Sequence, residues 1–549
     1  MGKYIIILSI FLVSCSNTID FVPTDSYNEI AVWENEQSVN LYINSFYRIF
    51  NEYFIFGNKP IGGDATMSDG LTDLAKYSSN SPGEGTANLI MTQDGYTSVA
   101  ANHFSVWANA YAWNRRILEF LDDLQKYNTK FSEPVRLRME AEVRFFRAYI
   151  FFLNYRSHGP FIIRRSLNDP VEMAINSEKD CWDFIETDFE FAAAHLPASW
   201  PINTGDGRVT KWAALAMNAR AMLYAERWQK AADAAKKVID EGGFELETNF
   251  ADIFLNDKRR KSKEHILVKK YRHTNGLFHG LDETIAPSGD IQGKGGRLCP
   301  TQELVDAFFM ENGADFNPSS SSSSFDSTMY LQRESRFYAT ILYNGAPWKG
   351  RTVQTWEGEN ASVGNGLDRF LAYNSSPYPN TTVTGYYFRK LGDESNLNFD
   401  LAYRKSDQDC IEIRLAEVYL ILAEAFINLN KRSEAEQWIL KVRNRSLQKD
   451  VTTLKPDIKA ELVRERMVEL ALEGHRFWDL RRWKMAASVL HGKKFHGAKI
   501  TKRANGKLVF ERVAVDINTR IYPDRFDRFP YPINELNNNS KITTQPNGW

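Results

Sequence analysis

The segment from Glu461 to Lys484 constrains the fold more than any other part of the chain, because its apolar and charged positions follow a helical period. Its apolar stripe comprises Val463, Met467, Leu470 and Ala471, and a neighbouring acidic stripe comprises Glu465, Glu469 and Glu473. Gly474 can adopt the left-handed conformation that ends a helix, and a second short helix is predicted from Arg476 to Trp483.

The carboxylates of this segment raise the question of acid and base catalysis. They are interleaved with five arginines, namely Arg464, Arg466, Arg476, Arg481 and Arg482, and with the aromatic residues Phe477, Trp478 and Trp483. Balanced Glu and Arg among aromatic side chains are typical of a buried ion-pair network. A glycoside hydrolase must keep one carboxyl protonated, and an excess of guanidinium opposes that. We therefore predict a structural role for Glu469, Glu473, Arg476 and Arg482, and no catalytic residue.

The first residues of the chain predict export and lipid attachment. An apolar run from Tyr4 to Val13, too short to span a bilayer, is followed by Ser14 and Cys15. Small residues before a cysteine resemble a bacterial lipoprotein signal, so residues 1–14 are predicted to be a signal peptide and Cys15 the lipidated residue. The alternative is an ordinary secretory signal with an incidental cysteine.

The remaining cysteines, Cys181, Cys299 and Cys410, suggest neither a disulfide framework nor a metal site.

The rest of the chain, residues 15–549, is predicted to form a single domain in three parts. Helical periodicity covers about 38–245, a loop-rich insertion covers about 246–409, and a second helical part with a tail covers about 410–549. Predicted helices are Ser38 to Phe50, Ser105 to Leu124, Glu133 to Arg156, Asp180 to Ala194, Lys211 to Tyr224, Trp228 to Asp240, Ile411 to Leu429 and Lys431 to Asn444. In the insertion, Phe337 to Leu342 and Thr384 to Phe388 are predicted strands.

Small residues mark the closest helix contacts in the first helical part. Ala213, Ala216 and Ala219 on one predicted helix face Ala231 and Ala235 on the next. Alanines at such positions let two helices approach closely, as in a tetratricopeptide repeat, although the spacing between pairs is irregular. Unrelated amphipathic hairpins are the alternative.

Composition and motifs exclude several function classes. Formal charge is −1, from 68 Lys plus Arg against 69 Asp plus Glu, and there is no long basic run, so nucleic acid is not an expected partner. Nucleophile, zinc-protease, phosphate and dinucleotide motifs are all missing from the sequence, which predicts no cofactor. No metal site is predicted: the nine histidines include no i, i+4 pair, and the acidic cluster Asp64, Asp69 and Asp73 fits solvation better than calcium.

Aromatic side chains in Gly-, Ser- and Pro-rich segments are the candidate ligand contacts, because aromatic faces pack on the C–H faces of sugars. The candidates are Tyr77, Tyr96, Phe278, Trp348 and Trp356, with Asp69 as a hydroxyl partner; Tyr373 and Tyr378 share the same surroundings. Packing within the loops is the alternative for each ring. We expect the ligand-binding surface to combine the segment Gly57 to Asn102 with the insertion between Phe278 and Trp356.

Several motifs together resemble the SusD/RagB family of bacterial outer-membrane nutrient-binding lipoproteins. The C-terminal signature comprises Glu465-Arg466, Glu469-Leu470-Ala471, Glu473-Gly474, Arg476, Asp479-Leu480 and Arg482-Trp483. Further similar stretches are Arg414 to Leu420, Ala423 to Ala425, Val442 to Arg445, Ala141-Glu142, Arg144-Phe145, Arg147 to Tyr149, His158 to Pro160, Tyr531 to Ile533 and Gln545 to Trp549. The resemblance extends over most of the chain.

This resemblance implies a mainly α fold, in which tetratricopeptide-type helix pairs form a scaffold with long irregular loops and a few short strands. It also implies a lipid-anchored outer-membrane protein, exposed at the cell surface, that binds a glycan and delivers it to a SusC-like TonB-dependent receptor. On this interpretation the protein is not an enzyme. Two alternatives stay open: a peptide-binding lipoprotein of the same family, and a helical-scaffold glycan-degrading enzyme.

Overall fold

The computed structural model describes residues 29–52, 68–78, 105–201, 205–254, 262–272, 274, 276–290, 295–317, 326–372, 381–395, 406 and 408–549. The predicted signal peptide, Cys15, Tyr96, Tyr373 and Tyr378 lie outside these ranges. Within these ranges, no helix is both long and apolar enough to cross a membrane.

Helices dominate the first part of the chain. Their bounds are Glu29–Val32, Glu36–Phe46, Ile49–Glu52, Trp107–Lys126, Glu133–His158, Glu178–His195, Lys211–Tyr224 and Trp228–Glu241. Local sequence fixes where some of them begin: Ser177 Oγ accepts a hydrogen bond from Asp180 N (3.1 Å), and Thr210 Oγ1 accepts one from Ala213 N (3.2 Å). Such caps satisfy backbone donors that the first helical turn leaves without a partner.

Consecutive helices pack against one another from Trp107–Lys126 through Trp228–Glu241. The helix Leu415–Asn428 continues the layer by packing on Trp228–Glu241 and on its own successor, Arg432–Asn444. The alanines predicted to lie between helices, Ala213, Ala216, Ala219, Ala231 and Ala235, are fully buried. This paired arrangement confirms the predicted tetratricopeptide-type scaffold and the mainly α fold.

Short helices and strands make up the loop-rich middle of the chain. Its helices are Leu281–Ile285, Gln302–Ala307 and Ser335–Thr340. Along the whole described chain, 3-10 turns occur at Ser68–Leu71, Asn128–Lys130, Phe250–Ile253, Ser288–Asp290, Ser327–Tyr330 and Asp524–Asp527. Antiparallel strand pairs are Ala75–Tyr77 with Leu298–Pro300, His265–Lys269 with Cys410–Arg414, Ile341–Leu342 with Tyr387–Phe388, and Pro347–Trp348 with Arg351–Thr352.

The last part returns to helices and ends in a hairpin and a tail. The helices are Leu415–Asn428, Arg432–Asn444, Ile458–Glu469, Arg476–Arg482, Ala486–Leu490 and Ile533–Asn538. His496–Lys502 pairs antiparallel with Leu508–Ala514 and parallel with Glu357–Gly358. One apolar core lies among the paired helices, and a second joins the loop-rich part to the C-terminal helices.

Four predicted elements differ from the structure. Residues 411–414 belong to a strand, not to the start of a helix, because they pair with His265–Lys269. Of the strand predicted from Phe337 to Leu342, only Ile341–Leu342 is a strand, and the residues before it belong to the helix Ser335–Thr340. Of Thr384 to Phe388, only Tyr387–Phe388 is a strand. The helix predicted from Ser38 to Phe50 is two helices, Glu36–Phe46 and Ile49–Glu52.

Gly474 does adopt the predicted left-handed conformation, with φ 70°. The helix before it nevertheless ends at Glu469, five residues before Gly474, and turns connect it to Arg476–Arg482. Leu472 also has positive φ (61°), so the chain reverses over several residues instead of at one glycine.

Candidate ligand-binding surface

Glu469 and Glu473 lie at the centre of a buried ion-pair network. Glu469 Oε1 accepts a hydrogen bond from Arg414 (2.7 Å), and its Oε2 accepts one from Arg336 (2.9 Å). Arg445 pairs with the same carboxylate. Glu473 accepts hydrogen bonds from Arg414 Nη2 (2.7 Å) and Lys390 Nζ (2.6 Å). Glu469 is thus held by three cations and Glu473 by two, and Arg414 is shared between them.

The cations decide the charge state of these two carboxylates. Burial alone would raise the pKa of Glu469, but the guanidinium groups of Arg445, Arg414 and Arg336 outweigh it and hold that pKa well below its usual range. Burial is likewise outweighed at Glu473, where Arg414 and Lys390 lower the pKa. Both groups are therefore ionised at neutral pH, and neither can supply the proton that glycoside cleavage needs.

The two arginines predicted to share in this arrangement also form buried pairs. Arg476 donates to both oxygens of Asp73 (2.9 and 2.7 Å), and Arg482 donates to Asp479 (2.9 Å) and pairs with Glu424. These contacts confirm the buried ion-pair network that was predicted for this segment.

Two of the proposed ligand contacts, Asp69 and Tyr77, are fully buried in the structure. Asp69 Oδ2 accepts a hydrogen bond from Gly474 N (3.0 Å), because the turn Ser68–Leu71 packs on the helix Arg476–Arg482. Tyr77 belongs to a strand paired with Leu298–Pro300. Its ring lies so close to Gly70 that a Cβ there would be 2.2 Å from the ring. Neither side chain presents a face or an oxygen to a ligand in this conformation.

Asp290, Arg351 and Asp368 form a charged cluster in the loop-rich part. Arg351 donates two hydrogen bonds to Asp290 Oδ1 (2.9 and 2.6 Å) and one to each oxygen of Asp368 (2.7 and 2.8 Å). The backbone N–H of Gly289 donates to Asp368 as well (3.0 Å). The two carboxylates raise the pKa of Arg351 although its partial burial opposes this, and they fix its planar guanidinium at the surface.

Trp348 lies beside this cluster but is buried. Its indole Nε1 donates to Asp290, and Gly392 packs against the ring, where a Cβ would be 3.2 Å away. The ring is therefore a support for Asp290, and the expectation that it stacks on a sugar does not fit this conformation. The indole edge takes part in the polar arrangement, and Lys349 Nζ lies 5.1 Å from the centre of the ring.

A second polar group borders the cluster. Asp282, in the helix Leu281–Ile285, accepts a hydrogen bond from the backbone N–H of Asp393 (3.1 Å). Burial raises the pKa of Asp282 to about 6, although the nearby ammonium of Lys349 lowers it. Burial also lowers the pKa of Lys349, against the attraction of Asp282 and Asp290. We call residues 277–290, 347–352, 367–368 and 391–395 the loop surface.

Apolar side chains are exposed on the loop surface. Leu277, Phe278 and Leu367 expose 47%, 42% and 57% of their area. Leu367 lies against Gly289, next to Asp290, and Phe278 lies three residues before the helix that carries Asp282. Exposed apolar groups beside fixed charged ones are the usual composition of a ligand site.

Trp356, the remaining predicted contact, lies at the edge of the loop surface, where its backbone oxygen accepts a hydrogen bond from Gly366 N (2.9 Å). Its half-buried ring is 4.4 Å from Lys502 Nζ, next to the strand Glu357–Gly358. The loop surface therefore includes Phe278 and Trp348, and Trp356 lies at its edge, whereas Asp69 and Tyr77 are buried outside it. Tyr96 lies outside the described residues.

The sequence did not point to Asp290, Arg351 or Asp368. Arg351 is 61 residues from Asp290 and 17 from Asp368, so no local spacing connects them. Metal binding has no evident site in the described ranges, where no group of three His, Cys, Asp or Glu residues could hold an ion.

A scaffold of paired helices that carries an irregular loop region defines the structural class of this protein. Within that class the chain belongs to the SusD family, whose family model matches residues 263–549, more than half of its length. A second family model, described as starch-binding associating with outer membrane, matches residues 64–223.

Individual relatives and solved structures support membership in the SusD family. SusD-like protein P25 of Formosa agariphila is 25% identical over 508 residues, which cover 88% of this chain and 90% of the relative. The crystal structure of a SusD-like protein from Bacteroides fragilis has 25% identity and a TM-score of 0.77, covering 94% of this chain and 98% of its own. A SusD-like carbohydrate-binding protein of the same species has 24% identity and a TM-score of 0.76, covering 93% and 100%.

Proposed function

We propose that this protein binds a glycan through the loop surface and delivers it to a SusC-like TonB-dependent receptor. The observation that carries the proposal is the charged cluster in which Arg351 is fixed between Asp290 and Asp368, next to the exposed side chain of Leu367. Sugars offer hydroxyls to the polar groups and C–H faces to the apolar ones. Side chains that are already held in place by their neighbours lose little entropy when a ligand binds.

Family membership supports the choice of a glycan over other ligands. The model that matches residues 64–223 is described as starch-binding, and one relative of similar fold is described as carbohydrate-binding. A peptide is the second ligand class that we keep, because the charged groups of the loop surface would also bind peptide backbone and side chains. No catalytic step is proposed, since the clustered carboxylates Glu469 and Glu473 are paired with cations.

The same comparisons and the N-terminal sequence support a location at the outer membrane. The description of one family model associates it with the outer membrane, and Cys15 follows an apolar run with a small residue before it. We propose that acyl chains on Cys15 anchor the protein, exposed at the cell surface, where it meets the receptor.

Binding of purified glycans and peptides to the untethered protein, residues 16–549, tests the proposal directly. Screening an array of both classes should return one or a few related glycans, and calorimetry should then give their affinity. Hydrolysis of the bound glycan, followed by chromatography, should be absent. Binding of peptides alone, or turnover of the glycan, would contradict the proposed function.

Delivery is tested separately by affinity purification of the tagged lipoprotein from solubilised outer membranes. We expect a TonB-dependent receptor in a fixed ratio with it. Recovery of the lipoprotein without any such receptor under mild detergent conditions would argue against delivery while leaving glycan binding intact.

A further inference from the structure

A pocket with a volume of about 450 Å³ opens between the helices Glu133–His158, Glu178–His195 and Arg476–Arg482. Its aromatic lining comprises Tyr155 and Tyr224, which are partly exposed, and Trp182 and Trp478, which are buried. The pocket shares no residue with the loop surface. Its size is within the range of small-ligand sites in proteins.

The lining of this pocket is strongly basic. Seven of its side chains are Lys or Arg and three are Glu or Asp. Most of the cations are neutralised: Arg227, Arg482 and Arg528 each pair with a carboxylate, and Lys484 lies 3.3 Å from Asp527. These pairs account for much of the lining charge without any ligand.

Arg156, unlike Arg227, Arg482 and Arg528, forms no ion pair within the described residues. None of the carboxylates in the described residues forms a salt bridge with it, and its Nε is buried without a hydrogen-bond partner. Its guanidinium carbon lies 4.0 Å from the centre of the Trp478 ring. The aromatic contact holds the cation in position but does not neutralise it.

The charge of Arg156 persists at neutral pH. Burial lowers the pKa of this group to about 10, so the guanidinium remains protonated under physiological conditions. A partly buried cation without a counter-ion is costly, and an anion that entered the pocket would offset that cost. The missing partner is thus an oxygen-bearing anion of a size that the pocket accepts.

We propose that this pocket binds an oxyanion, with Arg156 as its counter-ion, and that the anion is carried on a sugar ring that packs against Tyr155 or Tyr224. A uronic acid carboxylate and a sulfate ester both have this chemistry. A guanidinium donates two parallel hydrogen bonds to such a group, and a sugar ring supplies the apolar face that the tyrosines match. Free sulfate or phosphate would use the same arginine without the ring contact.

Calorimetry with glucuronic acid, glucose and inorganic sulfate tests this site in the untethered protein. We expect glucuronic acid to bind the wild type, glucose to bind far more weakly, and Arg156→Gln to weaken glucuronic acid binding at least about tenfold. Arg156→Lys, which keeps the charge, should retain part of the affinity. Arg115→Gln removes an exposed cation from another helix and should leave binding unchanged.

Sulfate distinguishes the possible sources of the anion. Sulfate that binds as tightly as glucuronic acid, and is lost with Arg156→Gln, supports the oxyanion site but assigns it to a free anion. Two results overturn the proposal: no binding of either anion to the wild type, or equal binding to wild type and a folded Arg156→Gln variant. Thermal melting of each variant verifies folding, and Arg156→Lys replaces Arg156→Gln as the test if the latter melts early.

The outcome is separable from that of the proposed function. Arg156→Gln should leave the capture of a neutral glycan by the loop surface unchanged, because the two sites share no residue. Loss of both activities in a folded variant would contradict that separation.

Discussion

Phe278 is the side chain at which the loop surface can be tested with the least structural disturbance. It is 42% exposed, so Phe278→Ala removes an apolar face without opening a core cavity. Contacts between aromatic rings and other groups contribute about 1 kcal/mol, so we expect the variant to bind the glycan about five- to tenfold more weakly. Calorimetry with the glycan that the array identifies measures this change.

The matched control for Phe278→Ala is Val171→Ala. Val171 is 84% exposed and lies in the segment that connects the helices Glu133–His158 and Glu178–His195. Its affinity and melting temperature should equal those of the wild type. A folded Phe278→Ala protein with unchanged affinity would remove Phe278 from the binding surface.

Glu473 tests the ion-pair network at the level of one charge. Glu473→Gln leaves Arg414 and Lys390 buried with one fewer counter-charge, and breaking such a pair costs about 3 to 5 kcal/mol of unfolding free energy. Urea denaturation measures the loss. Glu119→Gln, which removes a carboxylate from the exposed pair with Arg115, should change stability by less than about 1 kcal/mol.

Asp69 gives stability a dependence on pH. Burial raises its pKa from 3.8 to about 7, while the Gly474 N–H and Lys390 lower it. A carboxyl with a raised pKa stabilises the fold most when protonated, so its contribution is complete below about pH 4 and is lost as the pH rises to about 7. The loss is about 1.4 kcal/mol per pH unit at most.

Asp69→Asn should abolish this loss. We expect the variant to melt at a higher temperature than the wild type at pH 8 and at nearly the same temperature at pH 4. Thermal unfolding of both proteins across that range measures the difference. A constant offset between the two curves would show that Asp69 does not titrate in this interval.

At the residue scale, burial was the property that sequence predicted least well. Tyr77 and Trp348 stand in Gly-, Ser- or Pro-rich surroundings, which suggested exposure. In the structure Gly70 makes room for the Tyr77 ring and Gly392 for the Trp348 ring, so the same glycines allow close packing. The Asp290–Arg351–Asp368 cluster depends on long-range contacts that no local pattern encodes.

The contact between neighbouring helices is the property to test at the scale of elements. Ala219 is fully buried on the helix Lys211–Tyr224, which packs against the helices on both sides. Ala219→Leu adds volume where there is none to spare, and we expect a loss of about 1 to 3 kcal/mol. The control is Ala108→Leu on the exposed face of Trp107–Lys126, which should be close to neutral. Urea denaturation of both variants compares them.

Long periodic helices were predicted well, and short elements were not. The helices Lys211–Tyr224 and Trp228–Glu241 match their expected bounds within a residue, because amphipathic periodicity is local information. The strand Cys410–Arg414 was missed because its partner, His265–Lys269, lies far away in the sequence. The helix Ser335–Thr340 is less than two turns long, which is too short for helical periodicity to identify it.

At the scale of the whole molecule, the lipid anchor that we propose on Cys15 would determine where the protein works. Cys15→Ala should remove the acylation site, so that the protein leaves the membrane fraction or accumulates as an unprocessed precursor. Fractionation together with labelled fatty acid measures both effects. Cys181→Ala is the control, because Cys181 is buried. This variant should remain in the membrane fraction. Label that persists in Cys15→Ala would contradict the assignment.

The buried charges around Glu469 have a consequence for how the chain can be divided. Glu264, Arg336 and Arg414 all enter this network, although they come from the loop-rich part and from the strand before the C-terminal helices. A cut between residues 409 and 410 would therefore separate carboxylates from arginines that neutralise each other. Neither fragment should fold by itself, whereas the two fragments mixed together should regain helical structure that neither has alone.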